Sequence, residues 1–277
     1  MQNTAPQDEN KQKLASSFNL ASCGYDKPAL RFLALTARRL VELGNIQPGQ
    51  TILDVATGTG TVAIATAKIV NPQGQVFGVD IAKEMLAQAQ HKINQAGLSN
   101  VELQQSDAAQ LNFTPHTFDA VFCASGLHFL PDMLAALHEW QRVLKPGGLV
   151  AFSSFGTEMN SPLREILEAR LVNYGVTIPP SNLLQRLDNP DKSRDLLQAA
   201  GLENIQTHSE QLGYYLSNVD EWWDIVWNSG YRSYVSQLAP EKVEQFKVEH
   251  LTEIGVLATD KGIWLNVPVI FALARKL

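Results

Sequence analysis

The stretch Thr51-Ile-Leu-Asp-Val-Ala-Thr-Gly-Thr-Gly60 constrains this chain more than any other. Ile52, Leu53 and Val55 make a short buried strand, the glycines a tight turn, and residues 61–70 a helix. A strand that runs through a glycine turn into a helix start presents free N–H groups and the positive end of the helix dipole to an anionic ligand group. Gly58, Gly60 and Ala63 also satisfy the G-x-G-x-x-G/A pattern of dinucleotide-binding folds. Asp80 falls at the distance expected for the acid that takes a ribose. Alone, this pattern does not separate NAD from S-adenosylmethionine.

Asp54, at the carboxyl end of the strand, tilts the choice. A dinucleotide would bring a doubly negative pyrophosphate to the turn, where a nearby carboxylate repels it. S-adenosylmethionine brings an ammonium and a sulfonium along with its carboxylate. One acid at the strand end beside free N–H groups suits that mixture of charges.

Beyond this stretch the pattern alternates. Strands are predicted at 75–80, 101–105, 118–124 and 149–154, with helices at 82–96 and 131–144 between them. Lys145-Pro-Gly-Gly148 reads as a turn. Repeated strand and helix with short connections predicts a doubly wound, Rossmann-like α/β fold with a seven-stranded, mostly parallel sheet, whose ligands sit beyond the carboxyl ends of the strands. Helical additions flank it: a cap over 1–45, the cofactor-binding core over 46–156, and 157–277 completing the sheet with lid insertions at about 157–200 and 218–262. Residues 1–13 are polar and predict a frayed leader. Later signals are Ser161 as N-cap before Pro162, a break at Pro179-Pro180, a helix from Asn189-Pro190, a strand over 205–216, an Asn218/Glu221 capping pair and a last strand over 264–274. Trp223, Trp227 and Tyr231 are spaced to share one helical face.

The formal net charge is -6 and the pI about 5.5, with no basic run, which disfavours a nucleic-acid partner. Two cysteines without a C-x-x-C pair argue against a disulfide framework or a structural zinc site. No signal peptide or membrane-length apolar run is apparent, and the expectation is a cytoplasmic protein without integral membrane association. Oligomeric state is not legible.

Taken together these motifs resemble the class I S-adenosylmethionine-dependent methyltransferases, most closely the small-molecule branch that includes the ubiquinone and menaquinone C-methyltransferases. The resemblance implies S-adenosyl-L-methionine as cofactor, S-adenosyl-L-homocysteine as product, and no metal. It places Asp54, Ala56, Gly58 and Gly60 around the methionine part, with Ala56 standing where the commonest pattern has a third glycine. It implies Asp80 on the ribose hydroxyls, Ile81 and Met85 on the adenine face, and Asp107 with Ala108 at the adenine amino group. Ser125 belongs to the loop after the fourth strand, beside the methyl group. That loop lacks the Asp/Asn-Pro-Pro-aromatic run which enzymes acting on adenine or glutamine carry.

Methyl transfer from a sulfonium is an in-line displacement that requires alignment, exclusion of water and removal of any acceptor proton. His128, the one titratable group in that loop, is the candidate base or substrate contact. His116 and His208 read as structural. Tyr25 and Phe18 in the cap, with Trp223, Trp227 and Tyr231, are candidates for binding a small, apolar or aromatic acceptor. The tail favours a specialised metabolite over a quinone precursor. The competing readings are a nicotinamide-dependent oxidoreductase and a non-catalytic S-adenosylmethionine-binding protein.

Overall fold

The computed structural model describes residues 4–178 and 183–277; the break predicted at Pro179-Pro180 lies outside them. The chain starts with α1 (Thr4–Ala21) and α2 (Arg31–Gly44), joined by two 3-10 turns. Then follow β1 (Thr51–Val55), α3 (Thr61–Val70), β2 (Gln75–Asp80), α4 (Lys83–Gln95), β3 (Val101–Gln105), β4 (Phe118–Ala124), α5 (Met133–Val143) and β5 (Leu144–Phe155). The remainder comprises α6 (Leu163–Asn173), α7 (Pro190–Ala199), β6 (Glu203–Gln211), β7 (Tyr214–Leu216), α8 (Val219–Trp227), α9 (Arg232–Val235), α10 (Pro240–Gly255), β8 (Ile263–Leu265) and β9 (Pro268–Arg275).

Seven strands form one sheet in the order β3-β2-β1-β4-β5-β9-β6. Only β9 runs against its neighbours, pairing antiparallel with both β5 and β6. Along each strand alternate residues enter opposite cores, as a pleated backbone requires. Ile52, Phe122 and Ala151 face the layer built by α2, α3, α6, α8 and α10, whereas Leu53, Val121 and Val150 face α5 and α7. Both faces are covered at the centre, so β1, β4, β9 and the second half of β5 read as nearly continuous apolar runs, whereas the edge strands β3 and β6 are largely polar. Each fully buried Leu, Val or Phe contributes about 1.5–3 kcal/mol. The strand order reverses between β1 and β4, and this switch point opens the crevice where a ligand can enter.

Several boundaries depart from expectation. Residues from Thr4 on are helical rather than frayed, and α1 is anchored from Lys11 onward: Phe18 and Ala21 pack with Ala82 and Met85, and Lys11 reaches Asp107. The segment predicted as one strand over 205–216 divides into β6 and β7, and that over 264–274 into β8 and β9, where Pro268 opens the second piece. β7 and β8 pair with each other in a separate two-stranded sheet. Ser161 gives no side-chain cap, and α6 starts at Leu163 behind Pro162. The Asn218 cap forms as expected, with Asn218 Oδ1 accepting from Glu221 N–H while Glu221 Oε2 accepts from Ser217 N–H. Tyr231 leaves the tryptophan stripe because α8 ends at Trp227; Trp223 and Trp227 stack at 5.9 Å, whereas Tyr231 lies 6.0 Å from Trp222. No described helix is long and apolar enough to cross a membrane.

Candidate cofactor and acceptor site

A cleft at the carboxyl ends of β1 and β4 is lined by Asp54, Ala56, Gly58, Ala124 and Ser125, with Tyr25 and Leu33 closing it from the cap. Asp54 is 1% exposed. Its Oδ2 accepts from the Thr57 hydroxyl at 2.6 Å and from Ala63 N–H at 3.0 Å. Its Oδ1 takes no hydrogen bond from the described residues and is the oxygen left for a ligand cation. Burial pushes the Asp54 carboxyl up to about 7, against the pull of those two donors. An ammonium brought beside it restores the carboxylate. Binding of S-adenosylhomocysteine at pH 6, where the ligand amine is already charged, should therefore release close to one proton. Calorimetry in buffers of different ionisation enthalpy reads this, and an enthalpy independent of buffer would refute the pairing.

Asp80 stands on the other side of the glycine turn. Its Oδ2 accepts from Gly58 N–H and its Oδ1 from Ala82 N–H, both at 2.8 Å. Burial lifts this carboxyl above the ordinary carboxylate range, opposed by the same N–H groups. Each oxygen keeps a second lone pair, so the group can also accept from two hydroxyls. A Cβ built on Gly58, whose φ is 54°, meets nothing within 4 Å, so the turn leaves open space where a ligand backbone would lie. These residues fit the ammonium, carboxylate and ribose of S-adenosylmethionine.

Ala56 holds a left-handed φ of 53°. The chain therefore adopts the glycine conformation without the glycine, which costs an L residue about 1–2 kcal/mol. Ala56→Gly should raise stability by roughly 1 kcal/mol, visible as a higher Tm; a fall in Tm would show that the methyl packs usefully. Its Cβ does limit its neighbour: one added at Gly126 would approach it to 2.8 Å.

The cap is bolted to this turn. Lys92 of α4 donates to both oxygens of Asp26, at 3.0 and 2.9 Å, and to the Thr59 hydroxyl at 3.2 Å. Thr59 itself donates to Asp26 at 2.9 Å. Met85 and Ala82 form a small apolar cluster with Ala21, against which Phe18 and Tyr25 pack. Burial, with Asp80 and Asp26 nearby, raises the Tyr25 phenol, so it stays protonated. Asp107 accepts from Ala109 N–H at 2.9 Å and from the Lys11 ammonium. Ala108 gives its carbonyl to the indole N–H of Trp140 at 2.8 Å. Ser125, in a left-handed turn, donates its N–H to the backbone and side-chain oxygens of Ser153.

His128 is fully buried, and neither ring nitrogen has a partner. Its ring lies 4.3 Å from Phe129 and 6.4 Å from Phe155. Arg186 fixes the loop by donating to the carbonyls of His128, Leu130 and Pro131. Burial, reinforced by the Arg186 charge, pushes His128 down to about 3. The ring is neutral at physiological pH and a poor base as it stands; its open nitrogens suit a hydrogen bond to a bound molecule. His116, an exposed residue, pairs through Nδ1 with the Leu144 carbonyl, and His208, half-buried against the Phe271 ring, pairs through Nε2 with Glu210.

The structure brings together Asp54, Ala56, Gly58, Asp80, Ser125 and Tyr25. Trp223 and Trp227 do not line the cleft: Trp223 packs on Phe246 of α10 with Lys247 over its ring, and Trp227 stacks on Trp223 with Arg232 of α9 over its own. Leu33, Ala37, Thr57, Thr59 and Thr61 also line it and were not singled out from sequence. Hydroxyls interleaved with Gly58 and Gly60, one on each side of each glycine, were the available signal for the three threonines.

A seven-stranded sheet with β9 reversed and a glycine turn flanked by two acids, one left open for a cation, define an S-adenosylmethionine-binding α/β protein. Comparison with known proteins agrees. Residues 52–148 match the family described as methyltransferase domain. The chain is 33% identical over 144 residues to the aklanonic acid methyltransferase DauC of Streptomyces sp. (strain C5), covering 52% of this chain and 66% of that one. It is 43% identical over 105 residues to the demethylmenaquinone methyltransferase of Geobacillus kaustophilus, covering 38% and 45%. Further demethylmenaquinone methyltransferases of Bacillus, Geobacillus and Listeria match at 33–42% identity. The matches thus span about half to two thirds of these relatives. A putative methyltransferase from Bacillus halodurans C-125 superposes with a TM-score of 0.60 at 23% identity, covering 87% of this chain and 98% of that one, and so shares the fold. The chain belongs to the class I S-adenosylmethionine-dependent methyltransferases, in the group related to the demethylmenaquinone and aklanonic acid enzymes.

Proposed function

We propose that this protein transfers the methyl group of S-adenosylmethionine to a small, largely apolar ring compound. The observation that carries the reading is the pair of acids around Gly58, Asp54 with an open oxygen and Asp80 bonded to the loop. When bound, the cofactor supplies an electrophilic methyl on a sulfonium. Asp54 would hold its ammonium, Asp80 its ribose, and Ile81 with Met85 its adenine, while Asp107 would exchange Lys11 for the adenine amino group.

The acceptor would approach from the side of Ser125, His128 and Phe129. Phe18 of the cap meets Phe129 edge-on at 5.4 Å, which helps keep water away from the reacting atoms. His128 serves as a neutral hydrogen-bonding contact, so an acceptor that must lose a proton gives it to solvent or to another group. The tail of the sequence favoured a specialised metabolite; the weight of demethylmenaquinone methyltransferases among the relatives moves the proposal toward a quinone-like ring.

The test is transfer of a labelled methyl from S-adenosylmethionine to a panel of quinols, phenols and indoles. Incorporation into ring compounds is expected. Absence of transfer to every small molecule would favour a non-catalytic binding protein.

A further inference from the structure

Just beyond the end of β5 lies a polar pair that the donor cleft does not use. Asn160 is 3% exposed and holds a left-handed φ of 61°. Its backbone is fixed on both sides, Asn160 N–H donating to Asn266 O at 2.8 Å and Arg164 N–H to Asn160 O at 2.9 Å. The side-chain Nδ2 donates to the Tyr231 hydroxyl at 3.1 Å, while Oδ1 is buried with no partner. Among the described residues the Tyr231 proton has no acceptor either. Turning the amide over lets Tyr231 donate to Oδ1 but strands Nδ2 instead. In both orientations one buried amide atom stays open, and such groups in native proteins call for an explanation.

Position supplies one. Asn160 follows the carboxyl end of β5, next to β4, whose own carboxyl end carries Ser125 and His128. Side chains of one apolar cluster pack between the two places. Phe155 meets His128 at 6.4 Å and Phe32 at 5.8 Å, Met159 joins the same buried cluster, and Trp222 lies 6.0 Å from Tyr231. Apolar rings framed by a few convergent polar groups are the usual composition of a small-molecule site.

We propose that Asn160 and Tyr231 together bind a ring hydroxyl of the acceptor. A hydroxyl donates to Asn160 Oδ1 and accepts from Tyr231, or accepts from Nδ2 when the amide is turned; it answers the pair in either orientation. A bare hydrocarbon ring answers neither. The assignment rests on the methyltransferase reading and makes Asn160 and Tyr231 specificity-determining residues.

1-Naphthol and naphthalene, which differ by one hydroxyl, would be titrated into the wild type, Asn160→Ala and Tyr231→Phe, each with and without S-adenosylhomocysteine. Wild type should prefer 1-naphthol by about ten-fold, and in either variant the preference should shrink to about two-fold, with naphthalene affinity unchanged. Tyr231→Phe keeps its ring against Trp222 and remains informative if Asn160→Ala does not fold. Equal affinity of the wild type for both probes, no binding of 1-naphthol, or variants that lose both probes alike would overturn the proposal. S-adenosylhomocysteine binding is read in parallel. If it is intact without a hydroxyl preference, only this assignment fails; a hydroxyl preference without it keeps the assignment and fails the donor reading.

Discussion

Asp80→Ala should weaken S-adenosylhomocysteine binding by on the order of 100-fold or more while the protein stays folded. The carboxylate would accept from two ribose hydroxyls, and hydrogen bonds to a charged acceptor contribute about 1.5–3 kcal/mol each. The same group ties Gly58 N–H to Ala82 N–H, so its removal also loosens the glycine turn. Asp80→Asn should be nearly as damaging. Its NH2 would face either Gly58 N–H or Ala82 N–H, donor against donor, and the turn would have to open to avoid it. Calorimetry reads the affinity and circular dichroism the fold. Undiminished binding in Asp80→Ala would return this residue to the role of a loop brace.

Trp140→Ala should cost about 3–5 kcal/mol of stability, the range for truncating a large buried aromatic. Trp140 is 0% exposed at the centre of the layer formed by α5 against Val121, Val150 and Leu197. Truncation leaves a cavity and also strands the Ala108 carbonyl, which the indole N–H now satisfies. Because Ala108 follows Asp107, the change should also disturb the turn at Asp107. Urea unfolding would show a lower midpoint with an unchanged slope. Trp140→Phe, which restores most of the volume but not the donor, should recover much of the loss; a loss of stability under about 1 kcal/mol in Trp140→Ala would contradict this view of the core.

The central sheet and the donor turn were legible because their signals are local. Buried parallel strands read as apolar runs, and Asp54, Gly58 and Asp80 sit at spacings set by one strand-turn-helix unit and the strand beside it. What escaped depends on residues far apart in the chain. Residues 1–13 look like a polar leader until Lys11 meets Asp107, and nothing near Asp26 announces that Thr59 and Lys92 will hold it. Helical spacing put Tyr231 beside Trp223 and Trp227, but α8 stops at Trp227 and the ring turns to Trp222 and Asn160. His128 was found by type and position; its neutrality follows from burial and from Arg186, which no local pattern contains. Asp54 was likewise identified at once, whereas its elevated pKa arises from the enclosed turn around it.

The donor assignment can be tested by titrating the wild-type protein with S-adenosylhomocysteine and, side by side, with NADH. At pH 8.5, where Asp54 is ionised without help from a ligand, the acid left open beside Gly58 predicts micromolar affinity for S-adenosylhomocysteine and no measurable heat with NADH, because the pyrophosphate would meet the Asp54 carboxylate. Micromolar binding of NADH with none of S-adenosylhomocysteine would contradict the account.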